Sequence, residues 1–478
     1  MLKIITKEFV KEKISSAETI LDECFEMLLD FKHDRGDLGN ILANFQPKLA
    51  ECLYQLMQFY HELQKEKKYL ISQKEKYSKQ EFSMMMANNA SFSKVVSQTI
   101  EIGKNLGDAY VWFFFRDNRS ELDKHFQHNT TGLYVGGIGG LGELEFIKNA
   151  PTLNGLYVLY HGITTMLRIG DFSLYDGTHG IVGVGELKTK PDGDFLNITA
   201  NITSRLDAFP YDITEIKAQS SRNGDKIKEM EKDFPRLKQQ LGVHTELLNI
   251  KDAKHSSDLY ASYEYNLINK LSTDNPVALN SDKSLLLLAT WSKEKCLFDV
   301  LYVPEADYEI PQDLKKAALL LTEPPSQYNE FIIGKLNTQI SLLSIPILWW
   351  KINDVVCKDL YFLKIDIATI FNPAKLLQFY IDDGFSISNP GKLKDFEISK
   401  EIDGHRISIG NFESICYLIT NSLMKTRDVY AFSRKVIDSI EKGQFTANSR
   451  IDMQIHLNNF GKPKKIIDGK ISQKEGTN

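Results

Sequence analysis

Long hydrophobic runs are scarce in this chain. The two longest, residues 109–115 and 285–291, are seven residues each, against roughly 20 for a helix that crosses a bilayer. The segment Met1–Glu8 lacks the apolar core of a secretory signal. The sequence therefore points to a cytoplasmic protein with no membrane partner. Cysteine is sparse too. Cys24, Cys52, Cys296, Cys357 and Cys416 are scattered, odd in number and never arranged as Cys-x-x-Cys, which excludes a zinc ribbon and fits buried thiols in a reducing compartment. No strong charge bias is present: 58 Lys and Arg face 63 Asp and Glu, a net −5. That argues against a general polyanion binder but leaves room for a local basic groove, since binding follows the distribution of charge. There is no phosphate-binding GxxxxGK[ST] loop, no GxSxG elbow, and no repeat. At 478 residues two or three domains are expected.

What is present falls into three stretches. Residues 1–118 read as helical. Leu49, Leu53, Leu56, Tyr60, Leu63 and Leu70 recur at steps of three, four and seven, a coiled-coil-like seam. The pattern predicts one helix from Pro47 to about residue 87, about 60 Å long, a stop and new N-cap at Asn88–Ser91, and a second helix over about 92–116. The seam serves either an intramolecular hairpin or self-association, and both stay open. Residues 119–280 alternate strand and helix patterns. Leu156–Tyr160 is a predicted strand, residues 194–203 alternate as another, residues 225–240 read as a helix broken at Pro235, and His244–Ile250 as a returning strand. Between 216 and 240, seven Lys and Arg face four acids, a solvated helix face or a phosphate-contacting one. Residues 281–478 read as a C-terminal α/β domain for recognition or oligomerisation. Its predicted strands are 285–291, 296–303, 344–350 and 360–367, with a hairpin at Ser292–Lys295 and a helix starting near Phe371. No catalytic constellation occurs there, and the basic tail around Lys462–Lys465 is either disordered or a nucleic-acid contact.

One segment concentrates chemistry. Asp171 and Glu186 are fifteen residues apart and Lys188 follows two later. Between them Asp176–Gly180 reads as a tight turn joining two strands. With the turn centred between Thr178 and His179, Asp171 falls opposite Glu186, on one face and about 5 Å away at Cβ, and Lys188 projects from that face as well. Two carboxylates that close repel unless a cation lies between them. Hard oxygen ligands suit Mg²⁺ or Mn²⁺, and the lysine suits charge growing on a phosphate. The alternative is an ion-pair ladder on a solvated sheet. The flanking Ile169, Phe172, Leu174, Ile181, Val182, Val184 and Leu187 favour a buried sheet, where unpaired charge is costly.

The order strand, acid, hairpin, Glu-x-Lys resembles the PD-(D/E)xK nuclease superfamily, over roughly residues 140–250. The resemblance implies a restriction-endonuclease-like mixed-sheet core within an α+β or α/β multidomain chain. It implies Asp171 and Glu186 as metal-binding carboxylates, Lys188 as the catalytic lysine, and a further glutamate from the preceding helix, Glu143 or Glu145. The implied activity is metal-dependent endonucleolytic cleavage of DNA, with RNA as a lesser alternative, in a restriction-type or antiviral defence role. The chain departs from the pattern at Gly170, where a proline is nominal, and at the strand-like 194–203, where a helix is usual. The competing reading is a catalytically silent scaffold that senses or binds partners, or forms homo-oligomers, through Leu53 and Leu56 of the helical arm.

Other motifs carry less. Gly137–Gly142 satisfies GxGxxG, but no Asp or Glu follows between 146 and 170 to hold a ribose, so a glycine hinge is expected. His125 and His128 share a helix face without further ligands. His161 and His179 flank the acids as structural or turn residues.

Overall fold

The computed structural model describes residues 4–35, 38–115, 122, 125, 137–153, 155–177, 179–192, 195–204, 216–218, 263–302, 320–321, 331–336, 345–388, 397–402, 405–409, 412–431, 434, 464–467 and 470–473. Three helices open the chain: α1 (Lys7–Lys32), α2 (Leu38–Ser72) and α3 (Lys79–Phe115). Thr6 caps α1 by accepting from the Phe9 amide. The helical boundary falls elsewhere than the seam suggested. α2 stops at Ser72, and α3 begins nine residues before the predicted break at Asn88. The reason lies in Ser78 and Glu81. The Ser78 hydroxyl accepts from the Glu81 amide at 3.2 Å, and the Glu81 carboxylate accepts from the Ser78 amide at 2.9 Å, a reciprocal capping box. Asn89 does not stop the helix. It is buried, and its side-chain amide donates to Leu63 O and to Glu66, tying α3 to α2. Pro47 lies inside α2 and not at its first turn.

The leucine seam is spent inside the chain. Leu49, Leu53, Leu56, Leu63 and Leu70 are all buried. Leu53 and Leu49 face Gly103 of α3. The hydrophobic gain of this stripe, roughly 1.5–3 kcal/mol per leucine, thus goes into the α1–α3 bundle, and a partner does not have Leu53 and Leu56 to dock on.

A short helix, α4 (Ile138–Asn149), then leads into a six-stranded sheet. Its strands are β1 (Thr152–Leu153), β2 (Leu156–Tyr160), β3 (Phe172–Asp176), β4 (Gly180–Asp192), β5 (Phe195–Ser204) and β6 (Ile216–Ala218), in sequence order. Every strand pair among the described residues is antiparallel. The described part of the expected mixed-sheet core is thus antiparallel throughout. A parallel neighbour needs a crossover; here the strand bearing Glu186 and Lys188 turns straight back into β5, as the alternation over 194–203 suggested. The expected helix at 225–240 and strand at 244–250 lie outside the described residues.

A second six-stranded sheet contains β7 (Val277–Leu279), β8 (Leu285–Trp291), β9 (Ile332–Lys335), β10 (Ile365–Phe371), β14 (Lys464–Ile467) and β15 (Lys470–Gln473), ordered β15-β14-β9-β10-β8-β7. A three-stranded sheet is formed by β11 (Ser386–Ser388), β12 (Glu397–Ile402) and β13 (His405–Ile409). Helices α5 (Leu297–Leu301), α6 (Asp354–Tyr361), α7 (Ala374–Asp382) and α8 (Phe412–Ser422) complete an α+β architecture. Two predicted strands are helical turns. Residues 296–303 give α5, where Tyr302 stacks on Phe298 one turn earlier, so no hairpin forms at Ser292–Lys295. Residues 344–350 form a 3-10 turn, Ile347–Trp349, after Pro346. There the indoles of Trp349 and Trp350 donate to Ala109 O and Ile345 O. One apolar core, which includes Leu53, Tyr157, Leu287 and Ile367, joins the helices to both larger sheets. No helix is long and apolar enough to cross a membrane among the described residues.

Candidate functional site

The β3–β4 hairpin sets the geometry. Phe172 pairs with Gly185, Ser173 with Val184 and Leu174 with Gly183, the register that the turn centred at 178–179 predicts. A bulge between Leu174 and Tyr175 shifts the last two pairs by one residue. Asp171 sits immediately before β3. Its amide donates to Gly185 O at 2.8 Å, and its carbonyl accepts from the His161 amide at 2.9 Å. Its side chain takes over where the ladder ends: Oδ2 accepts from the Leu187 amide at 2.6 Å. Asp171 is therefore fixed against β4 by backbone and side chain together.

The other acids come from two directions. Glu186 and Lys188 alternate with Leu187 along β4, and both are exposed. Glu143 comes from α4, where it is half-buried and its Oε2 accepts from the Tyr160 hydroxyl. Burial raises the Asp171 carboxyl above its ordinary range, the Leu187 amide draws it down, and the Glu186 charge raises it again. Burial likewise raises Glu143; the Tyr160 hydroxyl opposes this, the Asp171 charge adds to it, and Lys104 draws it down. Each carboxylate thus feels the next: Glu143, Asp171, Glu186. Of the two glutamates considered on α4, Glu143 is raised in part by the Asp171 charge.

The segment leading to Asp171 is held by two histidines. His161 is buried. Its Nδ1 lies 3.0 Å from Gly170 O, which only accepts, and its Nε2 lies 2.8 Å from the Ser173 hydroxyl. The neutral tautomer with the proton on Nδ1 satisfies both contacts. Burial and the adjacent His125 push His161 down to about 3, against weaker support from the Gly170 and Ile169 carbonyls, so the ring stays uncharged. His125 turns Nδ1 toward the amides of Arg168 and Ile169, at 2.9 and 3.1 Å. Between these anchors Gly170 adopts φ +73°, and a Cβ there would lie 2.7 Å from Gly185 O. Proline is locked near −65°. The glycine in place of the nominal proline is thus required by this backbone. His179 is a turn residue, exposed and 3.3 Å from Asp176.

A second buried node supports the same segment from α3. Gly107 lets α3 approach so closely that a Cβ would lie 1.9 Å from Ile163 O. The next residue, Asp108, accepts from the Thr164 hydroxyl, from the Thr165 amide and hydroxyl at 2.6 Å each, and from the Met166 amide at 3.1 Å. The Lys104 ammonium donates to Gly162 O and Thr164 O. Burial pushes Lys104 down to about 8 and Asp108 up, and each charge holds the other back from that drift. Nothing in the sequence pattern separates this pair from ordinary helix-surface charges. The weak cue was Lys104 and Asp108, four residues apart, within an otherwise apolar run.

No family model, no curated protein and no solved structure matches the chain. The site stands on its own geometry. Among the described residues, no three His, Cys, Asp or Glu side chains are grouped tightly enough to cage a metal by themselves. Mg²⁺ does not require such a cage; it is commonly held by one or two carboxylates, with water and substrate phosphate completing the shell. The donor set fits on two counts. Every group is a hard oxygen, and Asp171 and Glu143 are both raised, chiefly by burial and further by a neighbouring carboxylate. Asp171 and Glu186 suit direct ligation, and Glu143 suits a bridging or water-mediated contact.

Proposed function

We propose that the chain is a metal-dependent nuclease of the PD-(D/E)xK type that hydrolyses phosphodiester bonds in DNA, with RNA the lesser alternative. One observation carries the reading: carboxylates from three elements come together at the open end of the β3–β4 hairpin, Glu143 feeling the charge of Asp171 and Asp171 that of Glu186, and Lys188 stands two residues beyond on the exposed face. A structural cluster of that kind would be neutralised by nearby lysine or arginine; here Glu186 and Lys188 remain exposed.

Hydrolysis adds water to phosphorus and breaks one P–O bond, leaving a phosphate end and a hydroxyl end. A divalent cation bound at Asp171 and Glu186 supplies a polarised phosphoryl oxygen and a more acidic water. The remaining work falls to the chain. The Leu187 amide fixes Asp171 through Oδ2. Tyr160 orients Glu143. Lys188, with three donors and no acceptor, binds a non-bridging phosphate oxygen and offsets the charge that grows there. His161 is excluded as a proton carrier, since both ring nitrogens are engaged and its value lies near 3.

The test is incubation with supercoiled and linear DNA, and with RNA, in Mg²⁺, Mn²⁺ or EDTA, beside Glu186→Ala and Lys188→Ala. Cleavage that needs the cation and is lost in both variants supports the reading. Cleavage retained in full by either variant refutes the site.

A further inference from the structure

The strand that carries Glu186 and Lys188 continues well past them. β4 runs to Asp192 and pairs with β5 along its length: Glu186 opposite Asn201, Lys188 opposite Thr199, Lys190 opposite Asn197. Directly opposed residues share a face. Between Glu186 and Lys190 this face therefore reads Glu, Lys, Lys on one strand and Asn, Thr, Asn on the other. Its reverse is different. Leu187 packs in the apolar cluster with Phe146 and Phe172, and Thr189 lies against α4, where a Cβ on Gly142 would meet its hydroxyl at 2.0 Å. A slip of one residue would bury both lysines, so the packing under α4 locks Lys188 and Lys190 outward.

Two features of the outward face suit a polyanionic ligand. Glu186, Lys188, Lys190 and Asn201 are exposed, and neither lysine has an acid partner among the described residues. Along this face Glu186 is followed by two cations, Lys188 and Lys190, before β4 ends at Asp192. Alternate residues on a strand are about 7 Å apart, so the two ammoniums form a short row leading away from the acids. Lysines on flexible stems, flanked by hydroxyl and amide donors, suit phosphates read by charge and position and carry no sequence information. β5 is also where the chain departs from the family pattern, so the resemblance supplies no role for Thr199 or Asn201.

We infer that the outward face of the β4–β5 ribbon is the track along which the phosphate backbone of duplex DNA leaves the acid cluster, with Lys190 as a phosphate contact beyond Lys188 and with Thr199 and Asn201 as its hydrogen-bonding flank. The inference rests on the nuclease reading and adds the path of the substrate. Each phosphate neutralised by a lysine adds about 0.9 to the slope of log affinity against log salt.

The experiment is fluorescence anisotropy of labelled 30-base-pair DNA, and of a single strand of the same length, in EDTA, over a salt series. The proteins are the full chain, Lys190→Ala, Thr199→Ala and, as control, Lys335→Ala, an exposed lysine of the second sheet paired with Asp366. Lys190→Ala is expected to weaken duplex binding about 3- to 10-fold whatever the sequence and to lower the salt slope by about 1. Thr199→Ala should weaken it about 2- to 3-fold, and Lys335→Ala should leave it unchanged. Intact binding with an unaltered slope in Lys190→Ala overturns the track while leaving the nuclease reading standing. A Lys190 dependence seen only with the single strand overturns the duplex assignment. Failure of the unaltered chain to bind either DNA overturns the nuclease reading and the track together.

Discussion

Two charged clusters lie within a few turns of each other and are built on opposite principles. The node of Lys104 and Asp108 is buried and fully served: Asp108 has four donors from Thr164, Thr165 and Met166, and Lys104 has two carbonyls. The cluster of Glu143, Asp171 and Glu186 is half-buried and under-served, with one donor each on Asp171 and Glu143. A fully bonded charge holds a fold together. Acids crowded together without enough donors are held there by the rest of the structure, and that arrangement persists where a ligand uses it. The first cluster, on this account, is the clamp that places the loop before Asp171, and the second is the site.

Removing the clamp gives the largest effect. Asp108→Ala strands the four donors of residues 164–166 and removes the nearest counter-charge of the buried Lys104, an expected loss of about 3–5 kcal/mol in denaturant unfolding. A loss below about 1 kcal/mol would remove the distinction between the clusters.

The pH dependence of Lys104 comes next. Its folded value is lowered to about 8 from the ordinary 10.5, so the folded state gives up that proton more readily than the unfolded chain does. Stability should therefore rise as pH climbs from about 8 towards 10.5, by about 3 kcal/mol at most, from roughly 2.5 units at 1.36 kcal/mol each. Comparison with Lys104→Met isolates this contribution; parallel pH curves for the two proteins would contradict it. A smaller effect belongs to packing. Gly107→Ala drives a methyl group into Ile163 O and should cost about 1–3 kcal/mol, with DNA cleavage per folded molecule also reduced because the 162–166 loop moves. An unchanged melting temperature would show that α3 does not press on that loop.

The acids were legible in the sequence for reasons of periodicity. Strand alternation and a turn at Asp176–Gly180 were enough to set Phe172 opposite Gly185 and to bring Asp171 to Glu186. The sheet around them was harder to read. Antiparallel continuation was visible in the alternation of 194–203, but the family resemblance outweighed it. The helical arm was misdivided because polar Asn88 and Asn89 look like a stop, whereas Asn89 bonds inward to Leu63 and Glu66; the working signal was the Ser78–Glu81 box. Trp349 and Trp350 suggested a strand, but both indoles bond to backbone carbonyls around a turn set by Pro346. His125 and His161 gave no sequence cue to their task, because each acts on backbone groups of residues 168–170 brought close only by the fold.

The smallest expected effect is also the most discriminating. A carboxyl raised in the folded state binds its proton more tightly there than in the unfolded chain, so the stability it contributes is present at low pH and is lost as pH rises through the folded value. At neutral pH, Asp171 therefore costs stability. Asp171→Asn keeps an oxygen for the Leu187 amide and removes the repulsion with Glu186 and Glu143. The decisive measurement is the melting temperature of the unaltered chain and of Asp171→Asn at neutral pH, each in EDTA and in Mg²⁺. The account predicts that the variant melts higher in EDTA by about 1 °C, on the order of 1 kcal/mol, and that Mg²⁺ raises the melting temperature of the unaltered chain alone. A variant that melts lower in EDTA, with both proteins responding equally to Mg²⁺, would make Asp171 a structural residue and contradict the assignment of the site.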